Sequence, residues 1–321
     1  MLQEALAELP RDAASAWLFP GQGAQHAGMG RDLYEESAAA RAVFDEADRA
    51  LGTPLSRLCF DGPDEELTRT VNAQPALVAH GLAALAAAVE AGSITGRPAF
   101  VAGHSLGEYA ALVAAGALSV EAGIRLVRER GRLMQEACDE GPGSMAAIVA
   151  LDGDRVEAIC RAHGASVCNE NAPGNVTIGG PPGAVEAACA EARSQGGRVF
   201  PLAVAGAFHT SLMESAASGM RAALARVPFA DPDPPVLSNV TARPLTRASE
   251  LAEELYAQIT SPVRWADSVR AMAGAGVSRL TEFGPGKTLT AAARRTVAGI
   301  EVQNVESAAD ARAGAHAPAG R

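Results

Sequence analysis

The sequence predicts an α/β fold: a parallel sheet covered by helices, interrupted by a smaller inserted unit. Three observations carry this. Two short apolar runs, Ala16 to Pro20 and Ala99 to Gly103, each close on a glycine turn, and the second feeds straight into an Ala-rich helix. Between roughly Gly143 and Gly206 the rhythm changes to short strands and helices in the order β-α-β-β-α-β. Apolar residues are 48% of the 321, enough for a sizeable core, while aromatics are only 4%, so Ala, Val, Leu and Ile must fill it.

The elements follow in chain order. Met1 to Ala16 reads as a short acidic helix, without the basic start and apolar stretch of a secretion signal. Ala16 to Pro20 reads as a buried strand running into the loop Gly21-Gln22-Gly23-Ala24-Gln25. Leu77 to Val89 is apolar on most faces and reads as a buried helix. The run Pro75 to Val89 around it is too short to span a bilayer. Ala99 to Gly103 is a second buried strand, followed by a helix from about Ser105 to Ala115.

The inserted unit then reads as strand Met145 to Ala150, helix Asp154 to His163 with Asp152 or Asp154 as cap, and strands Ser166 to Cys168 and Asn175 to Gly179. The turn-rich Asn171-Ala172-Pro173-Gly174 separates those two strands. Helix Pro182 to Gln195, with Pro near its start, and strand Arg198 to Val204 complete a ferredoxin-like pattern. The expected division is a body of 16–142 and 207–305, a small subdomain of 143–206, and a disordered Ala- and Gly-rich tail over 306–321.

Charge and cysteine usage exclude several function classes. A formal net charge of −10 argues against non-specific nucleic-acid binding, which needs a basic footprint. Lys287 is the only lysine. The five cysteines, Cys59, Cys138, Cys160, Cys168 and Cys189, are odd in number and form no CxxC pair, so neither zinc nor a disulfide framework is expected. A cytoplasmic, monomeric protein with no membrane segment fits best.

Gly103-His104-Ser105-Leu106-Gly107 fits G-x-S-x-G with a strand before it and a helix after it, the context that exposes a strained nucleophilic serine. At a helix N-terminus, backbone N–H groups can stabilise developing negative charge. Serine needs a base, and histidine is the usual one. Of six histidines, His316 lies in the tail, His163 ends a helix of the inserted unit, and His80 reads as a satisfied core histidine. The side chain of His104 is expected to point away from Ser105. Spacing alone leaves His209 and His26 near equals, and no Asp is clearly placed as a third member.

At this point the chain resembles the malonyl-CoA:acyl-carrier-protein transacylases and the acyltransferase domains of polyketide synthases. The resemblance covers about residues 16–305 and rests on six motifs in order: Phe19 to Gln25, Gly103 to Tyr109, Arg130 to Gln135, Gly206 to His209, Ser261 to Trp265 and Gly284 to Leu289. It implies an α/β-hydrolase-like body with a ferredoxin-like insertion. It implies Ser105 as nucleophile and His209 as base, oriented by a backbone carbonyl rather than by Asp. It implies an oxyanion hole from the N–H groups of Gln22 and Leu106. Arg130, Gln258, His104 and Phe208 are placed at the substrate. Arg130 matches the arginine that grips a malonyl carboxylate, a task for which a planar guanidinium is suited and lysine is not. On the residues alone, Arg130 would read as a solvated helix arginine beside Arg125, Arg128 and Arg132.

Gly206-Ala207-Phe208-His209 resembles the His-Ala-Phe-His signature of malonyl-selective members and differs from the Tyr-Ala-Ser-His of methylmalonyl-selective ones. Gly206 departs from that signature, which keeps unusual extender units open. Trp265, Pro262 and the Asn171 turn read as framework. Gly284 to Lys287 lacks the spacing of a phosphate loop, so no nucleotide site is assigned. The implied reaction is ping-pong: malonyl-CoA acylates Ser105, and the phosphopantetheine thiol of an acyl carrier protein removes the acyl group. No bound metal or cofactor is expected. Arg193, Arg198, Lys287, Arg294 and Arg295 are the candidates for docking an acidic carrier. The competing readings are a thioesterase or proofreading acyl hydrolase of the same fold, and a non-catalytic carrier-binding module.

Overall fold

The structure, a computed structural model, describes residues 2–313. Strand β1 (Arg11–Phe19) begins earlier than the expected Ala16. Its outer half alternates between exposed and half-buried positions, and continuous burial starts only at Ser15, so the apolar signal marks just its inner end. The helix expected over Met1 to Ala16 accordingly shrinks to Leu2–Ala7.

The body's sheet also contains β2 (Arg97–Gly103), β7 (Val236–Leu237), β8 (Pro244–Leu245), β9 (Arg279–Phe283) and β10 (Glu301–Val305), in the order β10-β9-β1-β2-β7-β8. All pairings are parallel except β7 with β8. β1 therefore has β2 on one side and β9, from the far end of the chain, on the other. The carboxyl ends of β1, β2 and β9 meet at this reversal of strand order, where open α/β sheets place their ligand crevices.

Helix Thr70–Glu90 starts before the expected Leu77, because Thr70, Asn72 and Gln74 are buried by neighbouring helices. At 21 residues it is long and apolar enough to cross a membrane, contrary to the reading of the shorter run. It is instead a core helix, nearly all of it buried, packed on helices Ala38–Leu51 and Val120–Glu140. Leu77, Leu82 and Leu85 each contribute about 1.5–3 kcal/mol on burial. Ala76, Ala79, Ala83 and Ala84 fill the same core with small side chains, which lets the helices approach closely.

Residues between these halves form a separate antiparallel sheet of β3 (Ser144–Val149), β4 (Ser166–Ala172), β5 (Asn175–Gly180) and β6 (Arg198–Pro201), ordered β4-β5-β3-β6. Helices Gly153–His163 and Pro182–Ser194 cover it, with Ile148, Val156, Ile159, Ile178 and Val185 in its own core. β4 runs through Asn169, Glu170, Asn171 and Ala172, the last two of which read as the start of the turn. Asn169 and Asn171 line a cleft, so their polarity conceals a strand. The turn shrinks to Pro173-Gly174, with Gly174 at φ 64. β6 ends at Pro201 rather than Val204. Asp152 stands at the cap position of helix Gly153–His163, but its side chain makes no capping bond. Gly143, just before β3, lies so close to Ala207, beyond β6, that a Cβ on Gly143 would lie 2.6 Å from the Ala207 nitrogen.

The tail expectation fails over its first part. Helix Ala308–Ala313 buries Ala308 and Ala311 against the core helix, and Arg312 pairs with Glu36 at 2.7 Å. Its Ala-rich composition hid an apolar face. Residues 314–321 lie outside the described residues.

Candidate active site

The turn after β2 is built by tight backbone contact. A Cβ on Gly103 would lie 1.9 Å from the Gly107 carbonyl carbon, and one on Gly107 would lie 2.3 Å from the Phe19 oxygen. Only glycine fits at either place. Between them Ser105 sits at φ 53, a left-handed conformation that costs a non-glycine residue about 1–3 kcal/mol. Asn239 holds it there: the Ser105 N–H donates to Asn239 Oδ1 at 2.7 Å, and Asn239 Nδ2 donates to the Gly103 carbonyl at 2.6 Å. Asn239 went unread in the sequence. Its only signal is a buried-looking polar pair, Ser238-Asn239, directly after apolar Val236-Leu237.

His209 and not His26 meets the serine. His209 Nε2 lies 2.8 Å from Ser105 Oγ, and its Nδ1–H donates to the Gln258 carbonyl at 2.8 Å. A carbonyl only accepts, so Nδ1 carries the proton and Nε2 faces the hydroxyl as an acceptor. The expected carbonyl stands where a triad would have Asp. Burial, and then the nearby charge of Arg130, lower the His209 pKa to about 3. His26 is instead exposed in the first loop, its Nδ1 3.3 Å from the Ala24 carbonyl, and His163 pairs with Glu191 at 2.5 Å. His80 is buried in the core helix as expected, and neither ring nitrogen has a partner of ordinary hydrogen-bond geometry among the described residues. His316 lies outside the described residues.

A consequence is measurable. Free histidine loses its basic form below about pH 6.5. A group whose folded pKa is depressed keeps its neutral form until pH falls through that lower value. Acylation of Ser105, followed by rapid quench and intact mass, is expected to hold its rate from pH 7.5 to about 5. An acid limb centred near 6.5 would contradict the neutral, buried base.

Arg130 is buried, whereas Arg125 and Arg132 pair with surface glutamates. The solvated reading therefore fails. Arg130 lies on the apolar stripe of helix Val120–Glu140 with Val127 and Met134. Nη1 donates to Gln74 Oε1 at 2.7 Å. Nη2 donates to Ser105 Oγ at 3.0 Å and to Gln258 Oε1 at 2.9 Å. These partners are all neutral, and Nε has no partner among the described residues. A buried guanidinium with spare donors beside a nucleophile suits an incoming carboxylate. Gln74, a polar residue in an apolar helix, was not foreseen.

The Phe19 to Gln25 loop lies against the serine turn, with a Cβ on Gly21 only 2.9 Å from His104 Nδ1. The N–H groups of Gln22 and Leu106 are not engaged by any acceptor among the described residues. Gln22 and His104 line a cleft of about 630 Å³ between the two sheets, together with Asn169, Asn171 and Trp265. His104 Nε2 bonds Asn171 Oδ1 at 3.1 Å, so its ring faces the cleft and Asn171 does more than shape a turn. Phe208 is buried beside His209. A Cβ on Gly206 would meet Cys138 Sγ at 2.4 Å, which explains why this position carries no side chain.

Of the docking candidates, Lys287 and Arg295 line the cleft. Arg193, Arg198 and Arg294 are exposed but do not. Leu202 lines the same cleft, and Phe200, also on this edge, is 52% exposed, which the sequence reading did not anticipate. The first free N–H groups of helix Thr288–Thr296 are taken by buried Glu282, at 3.1 Å to Leu289 and 2.8 Å to Thr290, so no phosphate is held there.

Comparison with known proteins agrees with this geometry. The family model for the acyl transferase domain matches residues 16–314. The chain is 45% identical to the malonyl CoA-acyl carrier protein transacylase of Bacillus subtilis strain 168, over 86% of this chain and 88% of that one. The solved acyl-carrier-protein S-malonyltransferase of Bartonella henselae superposes with TM-score 0.89 at 40% identity, covering 94% and 98%. A type II PKS acyl-carrier protein in complex with its malonyl-transacylase contains a chain that superposes with TM-score 0.88 at 38% identity, covering 93% and 98%. The chain belongs to the acyl transferase domain family.

Proposed function

We propose that this protein transfers a malonyl group from CoA to the phosphopantetheine thiol of an acyl carrier protein, in fatty-acid or polyketide synthesis. The observation that carries the reading is Arg130, buried with spare donors 3.0 Å from the hydroxyl that His209 faces. The malonyl carboxylate docks on Arg130. Ser105 Oγ attacks the thioester carbonyl while His209 Nε2 takes its proton. The N–H groups of Gln22 and Leu106 hold the oxyanion. The C–S bond breaks, His209 returns the proton to the CoA thiolate, and malonyl-Ser105 remains. The carrier thiol then repeats the sequence in reverse, and Ser105 regains its proton. Malonyl-CoA and the carrier's phosphopantetheine enter as substrates, and the named residues complete both half-reactions. Phe208 crowds the space of a 2-methyl branch, a discrimination of about 1–3 kcal/mol. Five buried free thiols support a reducing, cytoplasmic setting.

Intact mass after mixing with malonyl-CoA tests the reading. A persistent malonyl adduct that an acyl carrier protein discharges supports it. Rapid hydrolysis supports a thioesterase, and no adduct supports a non-catalytic module. For the carrier, Lys287→Glu with Arg295→Glu is expected to raise KM roughly tenfold with little change in Ser105 acylation. Unchanged carrier kinetics would remove these residues from the docking surface.

A further inference from the structure

Behind Ser105 lies a buried carboxyl that neither half-reaction uses. Glu108, on helix Gly107–Ala114, is fully buried. One oxygen accepts the Asn239 N–H at 3.2 Å, and the other accepts from Gln258 Nε2. Glu254, from helix Ala248–Ala257, is buried nearby, accepting from the Ser238 hydroxyl at 2.7 Å and the Val240 N–H at 3.1 Å. Burial and the charge of Glu254 push the Glu108 carboxyl well above the usual range. Such a group is costly to keep unless its acceptors are needed.

Gln258 is where the site converges. Its Oε1 accepts from Arg130 at 2.9 Å, its Nε2 also donates to the Ser105 carbonyl at 2.9 Å, and its own carbonyl holds His209 at 2.8 Å. An amide can turn end over end, and only its neighbours decide which end faces which way. Glu108 fixes that choice together with the Ser105 carbonyl, since both accept and so require the Gln258 nitrogen to face them.

We propose that Glu108 is a positioning residue: by accepting from both Asn239 and Gln258, it locks the Gln258 amide with its oxygen toward Arg130 and so keeps Arg130 and His209 in register with Ser105. This rests on the reading of Arg130 as the malonyl anchor. A carboxyl, protonated or ionised, offers an acceptor to both donors. A glutamine at 108 cannot. Either its NH₂ group opposes the Asn239 N–H, or it opposes Gln258, whose amide then turns and presents NH₂ to Arg130.

The test compares Ser105 acylation by malonyl-CoA and acetyl-CoA in the wild-type chain and in Glu108→Gln, alongside thermal melting. Malonyl acylation is expected to fall about 10–100-fold. The malonyl-to-acetyl ratio should fall about tenfold or more, with Glu108→Asp in between. A purely structural role would lower the melting temperature and slow both acylations equally. A folded Glu108→Gln with the wild-type ratio overturns the proposal. If that variant does not fold, a wild-type ratio in Glu108→Asp overturns it instead. A wild-type chain that takes no malonyl overturns the functional reading and this one with it. A wild-type chain that takes malonyl while the variant's ratio is unmoved overturns only the role of Glu108.

Discussion

Ser105→Ala protein mixed with malonyl-CoA is expected to keep its unmodified mass, and its transfer rate is expected to fall by at least about 10⁴-fold. The substitution is structurally mild. Ser105 already carries a Cβ at φ 53, so alanine adds no backbone conflict, and its N–H still reaches Asn239. What disappears is one oxygen, shared between His209 Nε2 at 2.8 Å and Arg130 Nη2 at 3.0 Å. The melting temperature should therefore change little, which separates lost chemistry from lost folding. No other nucleophile is ready to substitute. The cysteines are buried, and burial pushes the Cys59 and Cys160 thiols up to about 12, far from the reactive thiolate range. A full-strength adduct in the variant would place the acyl group on another residue and end the assignment.

Arg130→Ala carries the second large effect, and it falls on selectivity rather than on every substrate. With Arg130 gone, a malonyl carboxylate entering the site is desolvated without a partner. Breaking a buried pair from one side costs about 3–5 kcal/mol, which is a loss of roughly 10²–10⁴-fold in kcat/KM for malonyl-CoA. Acetyl-CoA has no carboxylate to strand, and in the wild-type site it leaves the guanidinium facing only Gln74, Ser105 and Gln258. Its transfer should hold or rise in the variant. Arg130→Lys keeps the charge but loses the planar fork, so its ratio should lie between the two. Competition between the two acyl-CoAs reads this directly. An unchanged malonyl preference in Arg130→Ala would refute the anchor.

What could be read from the chain beforehand follows physical range. The serine turn is local, so Gly103 to Gly107 announced its strand, bend and helix within a few residues. The helices and strands of the small unit were readable for the same reason. The partner of Ser105 was not. Residues 105 and 209 are 104 positions apart and meet only in the folded body, and spacing could not choose between His209 and His26. Arg130 sat in a run of charges that resembled a solvated face. Its place on the Val127 and Met134 stripe, three and four residues to either side, marked it as inward-facing. Gln74, Glu108 and Glu254 carried a similar signal, each a polar residue among buried apolar ones. Asn239 had almost none, since its role is to span a turn far away in sequence. The misplaced ends at Arg11 and Ala172 fall where a strand is half exposed or lines a polar cleft, and the one at Thr70 where polar residues are buried.

The near contact of Gly143 with Ala207 has a wider meaning. The ferredoxin-like excursion starts and ends at one point, so the body perceives it as a loop pinched shut at its base. Neither the register of the parallel sheet nor the Ser105–His209 pairing passes through it. The small unit reaches the catalytic side mainly at the cleft, through Asn171 against His104, and at Asn169 beside Val263. Mutation can therefore remodel the wall that an arriving pantetheine arm meets while the bond-breaking groups stay in place. The fit of the arm can thus change separately from the acyl chemistry within a single chain.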